Sequence, residues 1–205
     1  GDMGFWLGLD DALPTLARGK DSEPLRVGEK LRLYKAPCFP EVAEEVSDEV
    51  AGLVPGLRRS CQLLIADTGA FWSGLTADLV VASDLLFVIC DSRPSSVAGA
   101  VRATELCRRM GVADVRRVCV YNRWNPKARM TLNEVQRALG TGVVYCVPDG
   151  KAAVDELLCT GDLEELVVLG NPLVGGVDSL MAAVLPRVGC PYSGLPRSRR
   201  KGWFK

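Results

Sequence analysis

Apolar residues along the chain group in two ways, as short unbroken runs and as stripes that return every three or four positions. Five runs read as buried strands: Leu31–Lys35, Leu63–Ala66, Leu85–Cys90, Arg117–Tyr121 and Val143–Val147. The middle three are continuous rather than alternating, the pattern of a parallel sheet covered on both faces. Helical stripes separate them. Val42, Val46, Val50 and Leu53 mark one, and Pro55-Gly56 is expected to end it. Val97, Val101, Thr104 and Cys107 mark the next, with Arg102, Arg108 and Arg109 on its wet side. Thr131 and Glu134 form a capping box around Leu132, Val135 and Leu139. Lys151–Cys159, closed by Gly161, and Asp178–Leu185 are further helices. Alternation repeated this often predicts an α/β fold, a mostly parallel sheet with helices on both faces and right-handed crossovers. The expected domain is residues 1–186. Residues 187–205, with Pro191, Gly194, Pro196 and Gly202 among arginines, lack apolar periodicity and are expected to be a basic, mobile tail.

Composition narrows the chemistry such a fold could carry. The 205 residues contain no histidine, which excludes a Ser-His-Asp triad, a Cys-His dyad and a histidine-ligated metal. None of the eight cysteines forms a C-x-x-C clip, so a zinc ribbon or thioredoxin-like motif is unsupported. Cys90, Cys119 and Cys146 lie in apolar runs, where free cysteine acts as a small hydrophobe; a reducing cytoplasm is expected. The opening GDMGFWLGLD has acidic residues and no basic n-region, unlike a signal peptide. Asp78 and Asp84 interrupt the apolar stretch Leu75–Cys90, which falls short of the ~20 residues of a spanning helix.

Lys and Arg number 25 and Asp and Glu number 25, a formal charge of zero that argues against a whole-surface nucleic-acid binder. The balance is uneven. From Arg187 onward there are six basic residues and no acidic one, which leaves residues 1–186 acidic overall.

Ligands of parallel sheets gather at the carboxyl ends of the strands. Asp67-Thr68-Gly69 follows LLIA, and an aspartate ending an apolar strand can orient water around a nucleotide-bound Mg²⁺. Asp91-Ser92-Arg93-Pro94-Ser95-Ser96 follows LLFVIC as a turn with helix-capping hydroxyls. Asn122-Arg123-Trp124-Asn125 follows VCVY, and Pro148-Asp149-Gly150 follows VVYCV. Each alone also reads as an ordinary turn or cap.

Taken in order, these signals resemble the MinD/ParA branch of the deviant-Walker P-loop ATPases, most of all its septum-site-determining and CpaE-like pilus-assembly members. The segment Gly1-Asp2-Met3-Gly4 followed by LGLDDALPTLARG is similar to the same family, and the resemblance runs to about Pro186. It implies a three-layer P-loop NTPase-like fold, ATP and Mg as cofactors, a homodimer, and protein partners in division or pilus machinery. It further implies that Asp2 and Asp67 order the attacking water and the metal, Asp67 through water to Mg. Asn122 would contact adenine, with Arg123, Pro148 and Asp149 around the base.

The chain departs from the family in its defining element. The glycine-rich loop K-G-G-x-G-K-[ST], whose amides cradle phosphates, does not occur; Gly19-Lys20 and Gly150-Lys151 lack the flanking residues. Two explanations stand: an N-terminal part that precedes these residues, or a pseudo-ATPase acting as a scaffold or interaction module. Neither gives hydrolysis by these 205 residues alone. The ending Arg199-Arg200-Lys201-Gly202-Trp203-Phe204 has the ingredients of a weak anionic-membrane contact peripheral to the inner face, and nucleic acid is a less favoured partner. A receiver- or flavodoxin-like domain is the remaining alternative, with Asp67 or Asp91 as acceptor, but the paired acidic cluster and late Lys-Pro of a receiver are lacking.

Overall fold

The computed structural model describes Leu7 and residues 24–27, 29–35, 46–70 and 72–195. Asp2 and the tail residues Arg199, Arg200, Lys201, Trp203 and Phe204 lie outside them. The chain divides into two compact units. One holds the described residues up to Leu79 together with 152–169; the other runs from Val80 to Lys151 and from Gly170 onward.

In the first unit, β1 (Leu25–Val27) and β2 (Leu31–Leu33) pair antiparallel. The run Leu31–Lys35 was expected to be a buried strand; it is a three-residue hairpin arm with Leu31 and Arg32 exposed. Helix α1 (Ser47–Ser60) passes through Pro55, where the spacing predicts its end. The helix continues because Leu57 extends the half-buried stripe of Val50, Leu53 and Val54, and Arg58 and Arg59 suit the negative end of the helix dipole. Leu63–Ala66 does not form the expected strand: a strand persists where a ladder takes its N–H and C=O groups, and no ladder among the described residues reaches this run. Its side chains stay in water, Ile65 at 74% exposure. Helix α2 (Gly74–Ala82) follows, its residues up to Leu79 belonging to this unit and those from Val80 to the second. Helices α5 (Ala152–Thr160) and α6 (Glu164–Val168) complete this unit, with left-handed Gly161 between them.

The second unit is a three-stranded parallel sheet in the order β3 (Leu86–Cys90), β4 (Arg117–Trp124), β5 (Tyr145–Pro148). Four successive residues of β4, Val118 to Tyr121, are buried. Cys119 and Tyr121 face one layer with Val88 and Cys90, under Val97 and Ala100 of α3 (Pro94–Arg109) and Val135 and Leu139 of α4 (Leu132–Leu139). Val118 and Val120 face the other with Val147, under Leu180 and Val184 of α7 (Pro172–Val184). The unbroken apolar run in the sequence thus has its physical cause, since a strand between two helical layers exposes neither face. Burying each such aliphatic side chain contributes about 1.5–3 kcal/mol.

The ends of the elements are set locally. The Thr131–Glu134 capping box forms as expected, and α4 stops at left-handed Gly140. Strand β5 begins at Tyr145 rather than Val143, because Gln136 donates to the Gly142 carbonyl and Val143 N–H to the Thr141 hydroxyl, holding 141–143 in a turn. Helix α7 begins six residues before the expected Asp178: Asn171 caps it by accepting from Leu173 N–H at 3.0 Å, and Pro172 occupies the first turn. Beyond α7, Asp178 accepts from Tyr192 Oη at 2.7 Å and Leu195 N–H at 2.8 Å, drawing residues 192–195 against the helix.

Candidate functional site

The carboxyl ends of β3, β4 and β5 point the same way because the strands are parallel, and polar residues stand at or just past each of them. At the end of β3, Asp91 is gripped by Arg93, whose Nε lies 3.1 and 2.8 Å from the two carboxylate oxygens. That ion pair, foremost, holds the Asp91 carboxyl below the usual range. The expected hydroxyl caps on α3 do not form. Arg93 stands at the N-cap without a side-chain capping bond, and the Ser96 hydroxyl instead accepts from Asp91 N–H at 3.1 Å.

At the end of β4 the register with β5 slips between Tyr121 and Trp124, a bulge that turns Asn122 and Arg123 out of the regular pleat. Arg123 adopts φ +53°, a left-handed conformation that a long side chain seldom takes. The Asn122 side-chain oxygen accepts from Arg123 N–H at 2.9 Å, and Arg123 Nε lies 3.6 Å from Asp149 Oδ1. Asp149 N–H in turn donates to the Trp124 carbonyl at 3.1 Å. Four residues expected from the sequence, Asn122, Arg123, Pro148 and Asp149, are therefore brought to one sheet edge by adjacent strands.

Next to them stand Lys151 and Asn171, which no strand-end signal in the sequence assigns to this site. Lys151, the second non-glycine residue with positive φ (+59°) among those described, donates its N–H to Asp149 Oδ1 at 3.2 Å. Asn171, 8% exposed, donates its carboxamide N–H to the Gly150 carbonyl at 3.0 Å. The signal for Asn171 was legible as Asn-Pro opening a helix; its reach to Gly150, twenty-one residues away, was not.

These arrangements belong to a known architecture. The fold is similar to a ParA family ATPase from Chlorobium tepidum TLS, with a TM-score of 0.77 and 19% identity over 88% of this chain and 80% of that one. The cell division ATPase MinD of Pyrococcus furiosus gives 0.65 and 13%, over 87% and 81%. The MinC:MinD cell division protein complex of Aquifex aeolicus gives 0.61 and 16%, over 96% and 81%. This is the ParA/MinD fold. At these identities the likeness is one of fold alone, and the sequence by itself matches no family model and no curated protein.

Within the ParA/MinD fold, the described residues suit the two ends of a nucleotide unequally. The β4 and β5 ends present a carboxamide, a guanidinium and a carboxylate beside Trp124 and Pro148, a set able to meet a purine base. For the phosphate end the described residues offer no counterpart: these 205 residues hold no glycine-rich phosphate loop, and no group of three Cys, Asp or Glu side chains among the described residues could hold a metal. Asp67, expected at a strand end, sits instead on the exposed segment after α1. Its Oδ1 accepts from Gly69 N–H at 3.2 Å, a local turn closed by left-handed Gly69. No helix among the described residues is long and apolar enough to cross a membrane.

Proposed function

We propose that the protein is a ParA/MinD-like nucleotide-switch protein that positions cell-division or pilus-assembly machinery, taking up the adenine of its nucleotide at the ends of β4 and β5. The fold likeness to a ParA family ATPase and to MinD proteins of cell division supports the class. The observation that carries the base assignment is the convergence of Asn122, Arg123 and Asp149 on one edge, tied by the Asp149–Trp124 backbone bond. A carboxamide offers a donor and an acceptor side by side, the pair that matches adenine N6 and N7. Trp124 and Pro148 supply apolar surface beside it.

ATP with Mg would supply the difference in charge that such a switch reads when bound. The part of these residues is to bind and orient the base; hydrolysis is not assigned to them, and the metal role implied for Asp67 finds no support in its surroundings. The proposal includes a nucleotide-dependent homodimer in the cytoplasm, a protein partner in the positioned machinery, and a weak membrane contact through the basic C-terminal residues.

A second reading, a non-catalytic scaffold of the same fold, is favoured by one observation: Asp67 stands on an exposed turn and not at the end of a strand of either described sheet. Calorimetric titration with ATP, ADP and adenosine separates the two. A base site without phosphate partners binds all three with affinities within about tenfold, and Asn122→Ala removes the binding. Failure of all three to bind overturns the nucleotide reading in favour of the scaffold.

A further inference from the structure

Asn171 is a polar side chain more than nine-tenths buried, and both ends of its carboxamide are used. The oxygen caps α7. The nitrogen holds the Gly150 carbonyl, in the loop that leaves β5. These are separate tasks, and the choice of residue reflects both. Asn, Asp and Ser cap helices about equally well, but an aspartate would set a carboxylate against the Gly150 carbonyl, and a serine lacks the reach.

Fixing the Gly150 carbonyl fixes the plane of the peptide that joins it to Lys151. That is the residue held at φ +59°, a conformation that persists only where its surroundings over-determine it. The Lys151 N–H then meets Asp149 Oδ1, the oxygen that lies 3.6 Å from Arg123 Nε. A continuous chain of bonds thus runs from α7, which is anchored on the sheet by Leu180 and Val184, to the Arg123–Asp149 pair.

We propose that Asn171 is a positioning residue for the base site: it ties the Asp149–Lys151 turn to the start of α7 and so sets Asp149 against Arg123. The use of that turn for a purine base rests on the functional reading above; its attachment to Asn171 does not, and the experiment keeps the two apart.

Backbone amide exchange is followed in the full chain, without nucleotide, for wild type, Asn171→Ser and Asn171→Asp. Both variants retain a capping oxygen, so Leu173 N–H keeps its protection. The amides of Asp149 and Lys151 exchange roughly tenfold faster, the loss expected for one buried hydrogen bond. Unchanged exchange at Asp149 and Lys151 overturns the proposal. So does a loss of protection shared equally by Leu173 and the rest of α7, which would make Asn171 a cap and nothing more. Should one variant not fold, the other decides. In a second arm, adenosine binding is read by Trp124 emission in a chain carrying Trp6→Phe, Trp72→Phe and Trp203→Phe. Weakening by Asn171→Ser of roughly tenfold, with Leu173 still protected, joins turn and base site. If wild type shows no adenosine response, the base reading fails while the exchange result still decides the positioning role.

Discussion

Gly176 of α7 lies so close to Pro148 of β5 that a Cβ added to it would sit 2.3 Å from Pro148 Cδ and 3.3 Å from the Val147 Cα. The absent side chain lets the helix approach the strand end that carries Asp149. Two effects oppose each other when an alanine is placed there: helix propensity gains about 1 kcal/mol, and overpacking against a rigid ring and backbone costs about 1–3 kcal/mol. Overpacking wins, because neither neighbour can swing away. Gly176→Ala is expected to lower stability in urea unfolding, whereas Gly175→Ala, with nothing within 4 Å of its added methyl, is expected to raise it by about 0.5–1 kcal/mol. Equal effects of the two would contradict the close approach.

The Asp91–Arg93 pair makes an acid-range prediction. Since the folded carboxyl is held below its usual value by Arg93, its contribution to stability is present above the unfolded carboxylate pKa and fades as pH falls through the folded one. Arg93→Ala should return the Asp91 titration, followed by carboxyl carbon chemical shifts, toward an ordinary aspartate, about 3.9. An unmoved midpoint would assign the depression to another group.

Lys151 holds its left-handed conformation at a price in backbone strain of ~1–2 kcal/mol. Glycine removes that strain but loses more entropy on folding, by about 0.4–1 kcal/mol. Lys151→Gly should therefore raise the thermal midpoint slightly. A fall in the midpoint would mean that the lysine side chain contributes more than its backbone loses.

The cysteines sort by exposure. Cys61 and Cys159 are exposed, while Cys90, Cys107 and Cys119 are buried, and burial pushes the Cys90 thiol up to about 11. Iodoacetamide at pH 8 should label Cys61 and Cys159 in the native protein and reach Cys90, Cys107 and Cys119 only in denaturant. Peptide mapping of label at Cys90 under native conditions would show that the sheet opens more readily than its packing implies.

Legibility in the sequence followed the range of the interaction involved. Arg117–Tyr121 announced β4 because burial on both faces writes an unbroken apolar run, Leu85–Cys90 announced β3 by the same pattern although Ile89 is 59% exposed, and the Thr131–Glu134 box is a four-residue signal. Leu63–Ala66 carries an equally apolar run and makes no strand, since pairing depends on a neighbour that the run itself does not encode. At the candidate site, Asn122, Arg123, Pro148 and Asp149 could be named because they follow strands. The bulge after Tyr121, the strained Arg123 and Lys151, and the Asn171–Gly150 bond could not, as each arises from register or from contact between distant elements.

The parallel sheet is closed by a helix that is made after all three of its strands. Val118, Val120 and Val147 wait for Leu180 and Val184, while residues 152–169, which belong to the other unit, leave the ribosome in between. At a synthesis rate of about 5–20 residues per second, one face of the nascent sheet stays bare for roughly two to seven seconds. A pause in translation between Pro148 and Pro172 would therefore prolong, and a truncation there would make permanent, a state whose β4 is covered on one side only.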